Sequence, residues 1–322
     1  MSETIPKSSQ DIPARPAVRG RARQFQGVNQ VEGRKTIVYI LGSSRSGTSA
    51  LRNAVAQTRY NGFGESHIEP LLSQIVSTVR GYGGARTTRE DKLRRQGRKS
   101  DAGTEQRKPP LGNARDTLDA DALLRHLFRG YEGYMTERKR SHYLIDKTPS
   151  ARIIRAVPML NRYHEDPRFI FCSRRHVDNI QSKLKKFSDT AFVDQCKAWA
   201  ACNQAWLQVR DRLRGNCLAF DFHDLATMPE EIAARIATYL ELSAEEQAAM
   251  ARYLVSARPQ SEDPDRDLQR YLKLSDVDWS DEDKETFRRI CGPVGEALGY
   301  GFESYFAEPD PAGASGQTPG GA

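Results

Sequence analysis

No stretch of the 322-residue sequence reaches the roughly eighteen consecutive apolar residues of a membrane span, and no apolar segment follows Met1. Neither a spanning helix nor a secretory signal is expected, and the chain is read as cytoplasmic. Cysteine is scarce. Cys172, Cys196, Cys202, Cys217 and Cys291 lie in apolar or helical stretches, without a C-x-x-C pair or a His-rich cluster, which predicts reduced core thiols and no metal site. The basic stretches lack interleaved aromatic residues, which argues against single-strand nucleic-acid binding. With 38% hydrophobic and 28% charged residues, the length suits one large α/β domain better than two. The formal charge of +7 fits an anionic ligand or acceptor and permits nucleic-acid binding without arguing for it.

The chain is organised around Lys35–Leu51. Ile37 to Leu41 form an apolar, β-branched run suited to an interior parallel strand, and Gly42 to Gly47 supply a tight turn of small residues. Thr48 and Ser49 then open a helix with Leu51, Ala54 and Val55 inward, so its positive end faces the loop. This is a cradle for a phosphate-like anion. Gly42 and Gly47 keep the spacing of a nucleotide-triphosphate loop, but Thr48 stands where that loop has its lysine. The cation has moved inside the loop, as Arg45. Asp146, the best candidate for an Mg²⁺ ligand at a strand end, has Lys147 beside it, which makes a poor metal site.

Residues 1–34, rich in Pro, Gln, Arg and Ser, are expected to be a disordered basic tail, and 307–322 a second disordered tail. The domain between them, 35–306, begins with the strand, loop and helix, then a short strand at Tyr60–Phe63. A helix follows with Ile68, Leu71, Leu72, Ile75, Val76 and Val79 on one face. From 80 to 116 the apolar period fails, and glycines, Pro109, Pro110 and a basic run around Arg94, Arg95 and Arg98 predict a mobile insert. Beyond it come a helix over Leu118–Tyr134, a strand over Tyr143–Asp146 and a helix capped by Ser150. A strand over Arg168–Ser173 leads into a polar helix and then a longer one over Phe192–Leu213, with Trp199 and Trp206 read as core. The last strand, Cys217–Phe222, is followed by helices from Pro229, over Glu245–Val255 and over Glu285–Leu298. Alternating strands and helices predict an α/β fold, a mainly parallel sheet flanked by helices on both faces. Ligands of such sheets gather beyond the carboxyl ends of the strands, where Arg45, Lys147 and Arg174 should converge.

The loop Ser44-Arg45-Ser46-Gly47-Thr48-Ser49 resembles the 5′-phosphosulfate loop of sulfotransferases, which use 3′-phosphoadenosine-5′-phosphosulfate (PAPS). Arg174, at a strand end, is followed eight residues later by Ser182, the spacing of that family's pair for the PAPS 3′-phosphate. The family's usual proline is replaced by His176. Phe220–Leu225, Pro229 and the helix ending at Leu242 resemble the stretch around the family's last core helix, so the likeness spans about Lys35 to Tyr300. The R-K-G-x-x-G segment that covers the adenine in cytosolic aryl sulfotransferases has no clear counterpart, and Arg270-Tyr-Leu-Lys273 is offered as its substitute.

The resemblance implies a PAPS-dependent sulfotransferase of a P-loop-like, nucleotide-binding fold. Lys147, in a Lys-x-Pro setting like that of tyrosylprotein sulfotransferases, takes the place of the catalytic lysine, with Arg45 beside it. Glu65, in a Gly-Glu step like that of the tyrosylprotein and polysaccharide branches, takes the place of the base, with His67 as the alternative. The implied set is therefore Glu65, Lys147 and Arg45 for catalysis, and Ser44, Arg45, Ser46, Gly47, Thr48, Ser49, Arg174 and Ser182 for PAPS. No metal is implied. The acceptor is expected to be a hydroxyl on a polar molecule such as a sugar or glycolipid. A P-loop kinase or other nucleotide phosphotransferase is the alternative reading.

Overall fold

The computed structural model of the chain describes residues 34–62, 64–95, 118–213, 215–256 and 271–307. Strand β1 (Thr36–Gly42) is buried along its whole length, and its alternating side chains feed two separate cores. Ile37, Tyr39 and Leu41 point to one face of the sheet, where α2 (Glu69–Arg95), α3 (Ala120–Lys139), α4 (Ala151–Tyr163) and α6 (Phe192–Val209) pack. Val38 and Ile40 point to the other, against α1 (Thr48–Val55), α8 (Pro229–Leu240) and α9 (Ala244–Ser256). A strand apolar at successive positions is what two covered faces require, and each such side chain stabilises the fold by about 1.5–3 kcal/mol.

The other strands are β2 (Asn61–Gly62), β3 (Tyr143–Lys147), β4 (Asp166–Ser173) and β5 (Cys217–Asp221). They lie in the order β2-β3-β1-β4-β5, with every neighbouring pair parallel. Register places Ile40 beside Lys147, Gly42 beside Cys172 and Ser173 beside Asp221, so the carboxyl ends share one rim. A third core lies behind α5 (His176–Lys186), where Val177 and Ile180 meet Trp199 of α6 and Phe287 and Cys291 of α10 (Asp281–Ala297).

Local signals account for most of the boundaries. Ser150 and Ser280 cap α4 and α10 by accepting from the N–H of Ile153 and Asp283, and Pro229 occupies the first turn of α8. Two elements differ from expectation. Helix α2 continues to Arg95 where a loop was expected from residue 80, because Ala85 to Arg95 holds no proline and is rich in residues of high helix propensity, which need no apolar face. Strand β5 ends at Asp221, whose carboxylate accepts from the His223 N–H and starts the short helix α7 (Phe222–Thr227). The expected tails, apart from Arg34 and Ala307, lie outside the described residues, as do residues 96–116 of the insert and Arg270.

Candidate active site

The loop after β1 is shaped by two glycines that cannot be replaced without movement. A Cβ on Gly42 would lie 2.4 Å from the Cys172 carbonyl oxygen, and one on Gly47 would lie 2.6 Å from the Phe222 ring. Gly47, with φ +86°, precedes α1 without a side-chain cap, so the first N–H groups of that helix are left for a ligand. Between the glycines, Arg45 adopts a left-handed backbone with φ +68°, a conformation that costs a side-chain-bearing residue on the order of 1 kcal/mol. Helix α5 and Arg174, two residues before it, offset that strain. Arg174 Nη1 donates to the Arg45 carbonyl at 2.9 Å, and Arg45 Nε donates to Ser182 Oγ at 3.0 Å. Asn179 Nδ2 donates to the Ser44 carbonyl at 3.1 Å and to Ser46 Oγ at 3.0 Å.

The second part of the site joins β3 to the segment before α2. Lys147, the last residue of β3 and buried, donates from Nζ to Glu65 Oε1 at 2.5 Å. His67 Nε2 lies 3.3 Å from the other carboxylate oxygen of Glu65. The turn that carries Glu65 is held from below by Asp146, which is buried and accepts from the Ser66 N–H at 3.4 Å, from the Ser66 hydroxyl and from Thr148 Oγ1 at 3.1 Å. Burial pushes the Asp146 carboxyl above the usual range, and the Ser66 and Thr148 donors oppose the shift.

These parts enclose a cleft of about 220 Å³. Ser44, Arg45, Gly47, Thr48 and Ser49 line the loop side, and Glu65, Lys147 and Pro149 line the β3 side. Lys186 and Phe187, from the end of α5, complete the lining. The volume is below the roughly 300–1,000 Å³ of sites that enclose a drug-sized ligand whole. Glu65 lines it and His67 does not.

Among the other sequence-predicted residues, Ser46 is fully buried, with its hydroxyl engaged by Asn179, so only its backbone is available to a ligand. Arg174 and Ser182 do not line the cleft but meet at Arg45, and the Arg174 guanidinium lies 4.4 Å from the Phe222 ring centroid. Asn179, Lys186 and Phe187 were not singled out from the sequence, and Asp146 was weighed there only as a poor metal ligand. The signal for two of them was present: Asn179, Ser182 and Lys186 follow three- and four-residue steps and so share one face of α5. His176, at the place of the family's proline, fills the third core among Trp199, Phe287, Tyr300 and Phe302. Of the suggested adenine cover, Tyr271 lies beside the guanidinium of the buried Arg175, 5.3 Å away.

The fold and the loop define a parallel-sheet α/β protein with a glycine-bounded turn and an uncapped helix start at the carboxyl end of its central strand. The profile described as the sulfotransferase family matches residues 38–246, and the chain belongs to that family. Among solved structures, it is similar to the sulfotransferase domain of the Synechococcus PCC 7002 olefin synthase, at 16% identity over 87% of this chain and 99% of that one, with a TM-score of 0.49. The sulfotransferase domain from the curacin biosynthetic pathway is 19% identical over 67% of this chain and 77% of that one, with a TM-score of 0.41. The sulfotransferase STF9 of Mycobacterium avium is 12% identical over 84% and 78%, with a TM-score of 0.46. No curated protein matches the sequence. Among the described residues no helix is long and apolar enough to cross a membrane, and no three His, Cys, Asp or Glu side chains cluster as a metal-ligand set.

Proposed function

We propose that this chain moves a sulfuryl group from PAPS to a hydroxyl of a polar, carbohydrate-containing acceptor. The observation that carries the reading is the Glu65–Lys147 pair, which opens onto the same cleft as Arg45 and the amino end of α1. A carboxylate, a lysine and an anion cradle in one small cleft supply the base, the cation and the binding site that sulfuryl transfer needs. The residues present fit the donor. The loop N–H groups, the Ser44, Thr48 and Ser49 hydroxyls and Arg45 would receive the 5′-phosphosulfate, while Arg174 and Ser182 would hold the 3′-phosphate.

In the transfer, the acceptor oxygen forms a bond to sulfur as the bond from sulfur to the donor's phosphate oxygen breaks, and the electron pair stays on that oxygen. Glu65 takes the hydroxyl proton. Lys147 serves two partners in turn. Its ammonium is held by Glu65 in the resting site, and as charge grows on the departing phosphate oxygen it turns to that oxygen, which leaves the Glu65 carboxylate open to the proton.

The test combines binding with turnover. Titration calorimetry should show adenosine 3′,5′-bisphosphate binding more tightly than ATP with Mg²⁺, the opposite of what a kinase would give. Radiolabelled PAPS with a cell extract should place label in the carbohydrate fraction. Glu65→Gln should lower turnover by about 10²-fold or more with bisphosphate affinity unchanged. Tighter binding of ATP with Mg²⁺, or near-normal turnover in Glu65→Gln, would refute the donor assignment or the base assignment respectively.

A further inference from the structure

Two exposed side chains complete the cleft without any part in the machinery described so far: Lys186, the last residue of α5, and Phe187, the residue after it. Lys186 forms no ion pair among the described residues, although it lines a cleft that also contains a carboxylate. Phe187 leaves 40% of its surface exposed, and its ring meets no other aromatic ring among the described residues. An unpaired ammonium beside an uncovered phenyl ring, both facing a cleft, is a combination suited to a ligand.

The position along α5 indicates which ligand. Ser182 and Lys186 are four residues apart, so they share a face, with Lys186 about 6 Å farther along the axis from the serine that holds Arg45. Arg45 and Lys147 already have local partners in Ser182 and Glu65, and the donor's terminal group would engage both. Among the described residues that line the cleft, Lys186 is the surplus cation, one helical turn beyond. The backbone that presents it is anchored: Phe187 N–H donates to the Lys183 carbonyl at 2.7 Å, and the Phe187 carbonyl accepts from the Thr190 N–H at 3.1 Å and from the buried Gln195 Nε2 at 3.2 Å.

We infer that Lys186 and Phe187 select the acceptor, and that the acceptor carries an anionic group next to a flat ring face: the anion pairs with the Lys186 ammonium and the ring packs on the Phe187 phenyl. A uronic-acid sugar has this chemistry, with a carboxylate on a ring whose C–H face is apolar. The inference rests on the sulfuryl-transfer reading and narrows it. The simpler account of Lys186 is that basic residues in the last turn of a helix complement its dipole. Lys185, exposed in the same turn and absent from the cleft lining, would do this equally well, so it serves as the control.

The experiment compares two probes, 4-nitrophenyl β-D-glucuronide and its methyl ester, which share every hydroxyl and differ in charge. Parent enzyme should sulfate the glucuronide with a KM about tenfold lower than the ester, the size of one charge-assisted contact. Lys186→Ala should erase that preference, Lys185→Ala should keep it, and Phe187→Ala should raise KM for both probes. Adenosine 3′,5′-bisphosphate should bind all three variants within about twofold of the parent, which also reports that they fold. Equal KM values for the two probes, no sulfation of either by a protein that binds the bisphosphate, or equal effects of Lys185→Ala and Lys186→Ala would overturn the inference. So would a loss of bisphosphate affinity in Lys186→Ala, since the lysine would then serve the donor. Failure of the parent to bind the bisphosphate would instead remove the donor reading, and the inference with it.

Discussion

Asp146 sits where a metal-binding aspartate would stand in a kinase, yet its oxygens are taken up by Ser66 and Thr148. Its work is mechanical: it fixes the turn from which Glu65 reaches Lys147. Asp146→Asn keeps the shape but turns a donor toward groups that already donate, so the turn should shift and the pair should loosen. We expect turnover to fall about 10- to 100-fold while bisphosphate affinity stays within about twofold; unchanged turnover would show that the turn holds itself. At this scale the sequence was legible for position, placing Arg45 inside the loop after β1 and Lys147 at the end of a strand. It was not legible for neighbours of like type. Arg174 reaches the loop, whereas Arg175, one residue on, is wholly buried and bonds the carbonyls of Leu272, Gly301 and Phe302 in the C-terminal segment. Only the rotation at the start of α5 distinguishes them.

Helix α5 holds the loop with one face and the third core with another. That second face carries an acid sensitivity. His176 is fully buried, and its pKa is pulled down to about 3 from an ordinary 6.5 by burial and, secondarily, by the Arg175 charge. Between those two values the unfolded chain binds the extra proton and the folded chain does not, so stability is lost as pH falls below about 6.5. Taking the protein from pH 7 to pH 5 should cost about 2 kcal/mol from this group alone. Asp146 and Asp221, with carboxyl pKa values raised by burial, act in the opposite sense, so the contribution of His176 is read by difference. Urea midpoints across that range should fall more steeply for the parent than for His176→Leu; parallel slopes would refute the assignment. The elements themselves were legible because their apolar periods are clean. Helix α6 was only half so: Trp199 and Trp206 read as one stripe, but Trp206 stacks on Phe171 at 4.3 Å in the first core while Trp199 enters the third. A stripe records which face is buried and not how many neighbours share it along its length.

For the molecule as a whole, the βα alternation foretold a parallel sheet with both faces covered, and the rim where the site lies followed from strand direction. The third core was harder to foresee. It joins α5 and α6 to α10 and its flanking residues Leu274, Val277, Trp279 and Tyr300, which come much later in the chain, beyond the last strand, where no βα alternation sets a period. The same alternation along β1 has a consequence for tolerance. The sheet separates the first two cores, so that no buried side chain belongs to both. Leu51 of α1 and Leu160 of α4 are fully buried on opposite faces. Each Leu→Ala change should cost about 2–5 kcal/mol, and the double variant should equal the sum to within about 0.5 kcal/mol, whereas a clear excess or deficit would mean that strain passes through the strands. Additive damage means that sequence drift in one layer spends none of the other's margin. The face behind the anion loop, carried by α1, can therefore stay under strict selection while the layer of α2, α3 and α4 diverges, a division of evolutionary freedom drawn along a single strand.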